Sequence, residues 1–157
     1  MAEAKKELIG ELKLLDVILS FDDLFEKAKD RKGDDGNTIK GKFKANFLMT
    51  KNTPGTIANM AKAKKASAEA KAAKWGADEK KHPKLKPNLV YLRDGDLENW
   101  DGYEGCFYIS ANSDDQPVLI DRVKDENGKW VELTKENGGS RKLYAGARVN
   151  AIVRVWA

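Results

Sequence analysis

The chain has 157 residues, a formal net charge of +4 and a single cysteine, Cys106. That length supports one domain with a real apolar core, so no disulfide or metal staple is required, and one cysteine excludes an internal bridge and fits a reducing compartment. No apolar run approaches the roughly 20 residues that span a membrane, and Met1 to Lys6 lacks the apolar stretch of a secretion signal; the expectation is one domain over residues 1–157, in the cytoplasm.

Glu11 to Phe21 is apolar except for Glu11 itself, Lys13, Asp16 and Ser20, and predicts a strand. Asp22 to Lys29 predicts a short helical turn, and the Gly/Asp/Asn-rich Arg31 to Asn37 a loop. Lys40 to Met49 alternates cleanly. Phe43, Ala45, Phe47 and Met49 point one way, and Lys40, Lys42, Lys44 and Asn46 the other, so this is a strand with one buried face and one basic face. Thr53-Pro54 reads as an N-cap followed by proline in the first helical turn. The Ala/Lys-rich stretch to Trp75 is a helix, stopped by Gly76. Its apolar stripe would be Ile57, Met60, Ala61, Ala68, Ala72 and Trp75. Ala77 to Asn88, with two prolines and four lysines, predicts an extended loop.

Strands resume at Leu89 to Arg93, before the turn Asp94-Gly95-Asp96, and again at Gly105 to Ala111 and Pro117 to Lys124. Asp125 to Gly128 is a hairpin-type turn leading to Trp130. Leu143 to Trp156 closes the chain, broken at Gly146. Strands, one helix and strands again predict a mainly β (α+β) fold: a five-stranded OB-like barrel with one inserted Ala/Lys-rich helix.

Little in this sequence suits catalysis. The only histidine, His82, lies in a Lys-His-Pro segment, and Cys106 has no histidine near it in sequence to activate it. There is no phosphate loop, zinc spacing or serine elbow. The acids Asp94, Asp96, Glu98, Asp101 and Glu104 could hold Mg²⁺, and a Mg²⁺-dependent nuclease using Asp94, Asp96 and Glu104 is the enzymatic alternative. They crowd one Gly-containing connection, however, where aspartate simply favours turns.

Binding chemistry is better supplied. Of the chain's 29 Lys and Arg, 14 lie between Lys40 and Arg93, where only 3 of its 25 acids lie. Such asymmetry fits a polyanionic partner, although a solvated lysine-rich helix face would give the same count. Single-strand binders combine a positive groove with aromatic faces on which bases stack. Several strands offer both. Lys40, Lys42 and Lys44 line the first; Tyr91 and Arg93 share a face of the second. In the last, Val149, Ala151, Val153 and Val155 face the core, so Arg148, Arg154 and Trp156 face outward. Tyr108 is out of phase with Phe107 and Ile109; the expectation puts Phe107 in the core and Tyr108 outside. A tyrosine or tryptophan on a strand is as often a packing residue; the argument rests on several cations and aromatics together. A protein-interaction module of a recombination complex, docking through the helix, is the other alternative.

Four stretches also bear a resemblance. "LSFDDLFEKAK" (Leu19 to Lys29), "KFKANFLMTKNTPGTIANMAKA" (Lys42 to Ala63), "LRDGD" with "YEGCFYISANS" (Leu92 to Ser113), and "LYAGARVNAIVRVWA" (Leu143 to Ala157) occur in the order and spacing of one family. The chain resembles the tailed-phage single-stranded-DNA-binding proteins of the small OB-fold type, distant relatives of the podovirus helix-destabilising protein. The resemblance implies sequence-nonspecific binding of single-stranded DNA during phage DNA replication or recombination, in the cytoplasm of the infected bacterial host. The implied partners are single-stranded DNA and phage replication or recombination proteins, with no cofactor, no metal and no membrane, the chain acting as monomer, dimer or array on DNA. Family members usually run past the "VRVWA" strand to an acidic tail that competes with DNA. This chain ends at Ala157, so the resemblance reads as a C-terminally truncated member that binds DNA more tightly than a tailed one.

Overall fold

A computed structural model describes residues 9–84 and 91–156. The strands are β1 (Glu11–Asp23), β2 (Arg31–Lys32), β3 (Thr38–Ile39), β4 (Phe43–Thr50), β5 (Arg93–Asp94), β6 (Cys106–Ser113), β7 (Ile120–Lys124), β8 (Trp130–Glu132) and β9 (Arg148–Arg154). Among the described residues one α-helix, α1 (Pro54–Trp75), stands between β4 and β5. Five strands form an antiparallel sheet in the order β5-β6-β4-β1-β9, while β2-β3 and β7-β8 are separate two-stranded hairpins. The mainly β class with a single inserted helix is the one expected. No helix among the described residues is long and apolar enough to cross a membrane.

Contacts divide the chain into two compact units. The first comprises the described residues within Met1–Val17, Leu48–Ile109 and Val149–Ala157; the second comprises Ile18–Phe47 and Ser110–Arg148. The first buries Leu12, Leu14, Val17, Leu48, Met49, Ala63, Ala66, Ala70, Tyr103, Cys106, Tyr108 and Ile109. The second buries Leu19, Ala45, Phe47, Leu119, Leu133 and Ala147.

The long strand β1 changes phase midway. Leu12 and Leu14 are buried, then Leu15 and Asp16 are both exposed, and Val17 and Leu19 are buried again. Asp16 has φ +53°, so this is a bulge, and its backbone groups need partners outside the ladder. The Asn59 amide supplies them: Leu15 N donates to Oδ1 (3.1 Å), and Nδ2 donates to Leu15 O (2.9 Å). Asp16 N donates to Asn150 Oδ1 at 2.9 Å.

Helix α1 has the expected ends. Thr53 accepts from Thr56 N at 3.2 Å, Pro54 opens the helix, and Gly76 closes it with φ +86°. Its buried face is not the expected one. Thr56, Asn59, Ala63, Ala66, Ser67 and Ala70 face inward, while Ile57 is 61% exposed. An alanine-rich helix has only a weak apolar stripe, so the face that places Asn59 on the β1 bulge prevails.

Other segments depart from expectation for similar reasons. Asp22 to Lys29 is not helical: β1 runs to Asp23, Leu24 O accepts from Gln116 Nε2 (3.1 Å), and Ala28 N donates to Lys42 O (3.1 Å). Arg31 to Asn37 belongs to the β2-β3 hairpin, whose turn is tied by Gly36 N donating to Gly33 O (2.9 Å). The strand expected at Leu89 to Arg93 is regular only over Arg93–Asp94; Leu89 and Val90 lie outside the described residues. The closing strand is regular only after Gly146 (φ +100°). The hairpin turn at Asp125 to Gly128 is as expected, with Gly128 N donating to Asp125 O at 3.0 Å.

Candidate nucleic-acid interface

Strand β9 alternates without interruption. Arg148, Asn150, Ile152 and Arg154 are exposed, and Val149, Ala151 and Val153 are half-buried. Trp156, next in the outward row, is 82% exposed. The end of the strand is anchored in the first unit: Val155 N donates to Gly10 O (2.8 Å), and Arg154 Nε donates to Ile9 O (3.0 Å). Gly10 allows this approach, because its φ is +81° and a Cβ there would collide with the Val155 carbonyl oxygen. The guanidinium of Arg154 is therefore oriented by a backbone carbonyl.

The basic segment before α1 lies in the second unit. Only Lys44 is inside β4; Lys40 and Lys42 are in the approach to it, and all three are exposed. Lys44 Nζ lies 3.6 Å from Asp23 and Lys42 Nζ 3.8 Å from Asp114. Exposed pairs of this kind contribute about 0–1 kcal/mol each, so a phosphate can replace either carboxylate at little cost.

Around β5 and β6 the expected faces are inverted. Tyr108 is fully buried, and Phe107, expected in the core, is only half-buried. β6 starts at the buried Cys106, and Tyr108 shares its face; Ile109 is buried as well, so the alternation that would mark an outer face is lost here. The Tyr108 hydroxyl donates to Glu98 Oε1 at 2.6 Å. Burial, then the Glu98 carboxylate, push the phenol above its ordinary value. Its ring meets Tyr103 (5.1 Å) and Trp100 (6.1 Å) edge-on. Tyr108 is thus a packing residue and not an outward stacking platform. Arg93 is its directly opposed partner on β5. Tyr91, just before β5, is half-buried, and burial raises its phenol.

The acidic connection has a structural task. Lys51 Nζ lies 2.6 Å from Asp94 and 2.7 Å from Asp96, and 4.7 Å from the Phe107 ring centre. Asp96 also accepts from Gly105 N at 2.8 Å. The Lys51 ammonium holds Asp94 below the ordinary carboxylate value, and the Gly105 N–H followed by Lys51 does the same for Asp96. A lysine therefore sits between two of the three carboxylates that the nuclease alternative would use. Among the described residues no three His, Cys, Asp or Glu side chains are grouped to hold a metal ion.

The first unit thus holds Tyr91, Arg93, Tyr108, Arg154 and Trp156, and the second Lys40, Lys42, Lys44 and Arg148. Arg93 and Tyr108 are brought together as cross-strand partners; Arg148 and Arg154 lie on the exposed side of β9, and Trp156 follows two residues after its end. Sequence reasoning passed over Trp130, which is 55% exposed on the β7-β8 hairpin with Lys124 Nζ 4.7 Å from its ring centre. Its signal was its place two residues after the Asp125 to Gly128 turn, beside a lysine strand.

Comparison with known proteins places this geometry. A solved structure described as the single-stranded DNA-binding protein from bacteriophage Enc34 in complex with ssDNA superposes with a TM-score of 0.65 at 22% identity, covering 96% of this chain and 81% of the other. A C-terminal truncation of the same phage protein gives a TM-score of 0.64 at 24% identity, covering 99% and 84%. These likenesses show the fold, which is OB-like. Protein p50 of Acyrthosiphon pisum secondary endosymbiont phage 1 is 32% identical over 154 residues, 93% of this chain and 72% of its own length. The family described as "Enterobacter phage Enc34, ssDNA-binding protein" matches residues 10–157, and the chain belongs to that family.

Proposed function

We propose that the chain is a single domain that binds single-stranded DNA without sequence preference, in phage DNA replication or recombination in the cytoplasm of the infected host. The observation that carries this reading is the family match over residues 10–157. The relative solved with ssDNA supports it, as do the exposed Arg148 and Arg154 of β9 and Trp156 just after it. The protein acts by binding, not by catalysis. Lys40, Lys42, Lys44, Arg93, Arg148 and Arg154 contact phosphates, and Tyr91 and Trp156 meet bases; Tyr108 supports Arg93 from within the core. Phosphates displace the weak Asp23 and Asp114 partners of Lys44 and Lys42. Stacking of an unpaired base on an exposed ring adds about 1–3 kcal/mol.

Because each neutralised phosphate releases counterions, log K falls with log salt by about 0.7 per contacted phosphate of a single strand. Titration of oligo-dT by fluorescence across a salt series tests this. A steep fall is expected; an affinity indifferent to salt would overturn the phosphate-capture reading.

A further inference from the structure

The β7-β8 hairpin ends in a tryptophan that folding does not explain. Trp130 is 55% exposed, and its strand shows only one half-buried residue, Val131, between Trp130 and Glu132. An aromatic side chain of this size usually buries about 150–250 Å² in packing, and most of that gain is forgone here. The ring is nevertheless held in place. Lys124 and Trp130 are directly opposed in the hairpin, and the Lys124 ammonium lies 4.7 Å from the ring centre, within cation–π reach. The turn before it is tied: Asp125 Oδ1 accepts from Asn127 N (2.9 Å) and Lys129 N (3.0 Å), and Asp125 N donates to Lys129 O (2.7 Å). With a cation over the indole, the exposed part of the ring is left to a ligand.

The Lys124 ammonium beside the ring favours an anion-bearing ligand. Arg122, Lys124 and Lys129 are exposed. The acids of the hairpin are Asp121, bonded by Lys142, Asp125, bonded within the turn, Glu126 and Glu132. A flat, oriented ring with a cation beside it suits an unpaired base flanked by phosphates. A base inside a duplex offers no free face to stack on it.

We propose that the β7-β8 hairpin tip is a base-stacking site, in which Trp130 receives one unpaired base on the exposed part of its ring while Lys124 and Lys129 meet the adjoining phosphates. This rests on the single-stranded-DNA-binding reading and adds a site that the outward row of β9 does not contain. Trp130→Ala and Trp130→Phe are titrated with oligo-dT beside the unaltered protein, with thermal melts as a folding control. Trp130→Ala is expected to weaken binding about 5- to 150-fold with an unchanged melt and an unchanged salt slope, while Trp130→Phe keeps most of the affinity. If the unaltered protein binds and Trp130→Ala binds equally well, the hairpin site is refuted and the DNA-binding reading stands. If the unaltered protein does not bind oligo-dT, both fall.

Discussion

Around β6 the aromatic rings and charges are committed to the protein itself. Tyr108 is buried against Tyr103 and Trp100 and donates to Glu98, and Lys51 sits between two aspartates and above Phe107. Along β9 the same residue types are turned to solvent: Trp156 is 82% exposed, and Arg154 is steered by a backbone carbonyl. A cation beside an aromatic is therefore not a binding site by itself. The difference lies in whether nearby carboxylates and packing have already taken up the charge and the ring face. Neutralised and buried, the pair holds a loop; exposed and oriented, it can meet a phosphate and a base.

The largest expected effect separates these two uses. Tyr108→Ala should remove about 3–5 kcal/mol of stability in a urea melt, as truncation of a large buried aromatic does. Tyr108→Phe keeps the packing and loses the hydroxyl's interactions with Glu98 and Arg93, at about 1–3 kcal/mol, and should bind oligo-dT as the unaltered protein does. A Tyr108→Phe protein of full stability but reduced affinity would put Tyr108 in the interface after all. Trp156→Ala should behave in the opposite way: an unchanged melt, and binding weaker by about 1–3 kcal/mol. Unchanged affinity there would remove the outward row of β9 as a base platform.

What could be read from the sequence divides along the same physical line. The ends of α1 were legible because Thr53, Pro54 and Gly76 act on their own backbone. The faces of β9 were legible because its alternation runs unbroken from Arg148 to Arg154. The bulge in β1 was not, since its partner Asn59 is 44 residues away. The buried face of α1 was illegible for the same reason, being decided by that bond and not by an apolar stripe. Tyr108 was misread because its partners Glu98, Trp100 and Tyr103 come from the irregular connection between β5 and β6, which carries no periodicity. At the site, the exposure of Lys42 and Lys44 followed from their pattern, but their pairing with Asp114 and Asp23 depends on the fold. The turn before Trp130 was plain in Asp125 to Gly128, but a short hairpin does not reveal from its sequence which face is left uncovered.

The smallest expected effect is the most direct measure of how far the β6 side is committed to structure. Lys51 joins Asp94 and Asp96, and both carboxyls are held below their ordinary value of 3.8. Groups lowered in the folded state contribute stability that is complete above the unfolded value and is lost as pH falls through the lowered one. Acid unfolding should therefore steepen below about pH 3.8. Lys51 is itself raised above 10.5 by Asp94 and then Asp96, so its contribution is full below that value and is lost as pH rises through the raised one. Lys51→Met removes the ammonium and keeps much of the side-chain length, and should flatten both limbs of a stability–pH curve followed by circular dichroism. Oligo-dT binding at neutral pH should keep its salt slope, because a lysine already held by two aspartates has no charge to offer a phosphate. A reduced slope in Lys51→Met would show instead that DNA competes with Asp94 and Asp96 for the ammonium, and the line between the structural and the binding side of the molecule would have to be redrawn through Lys51.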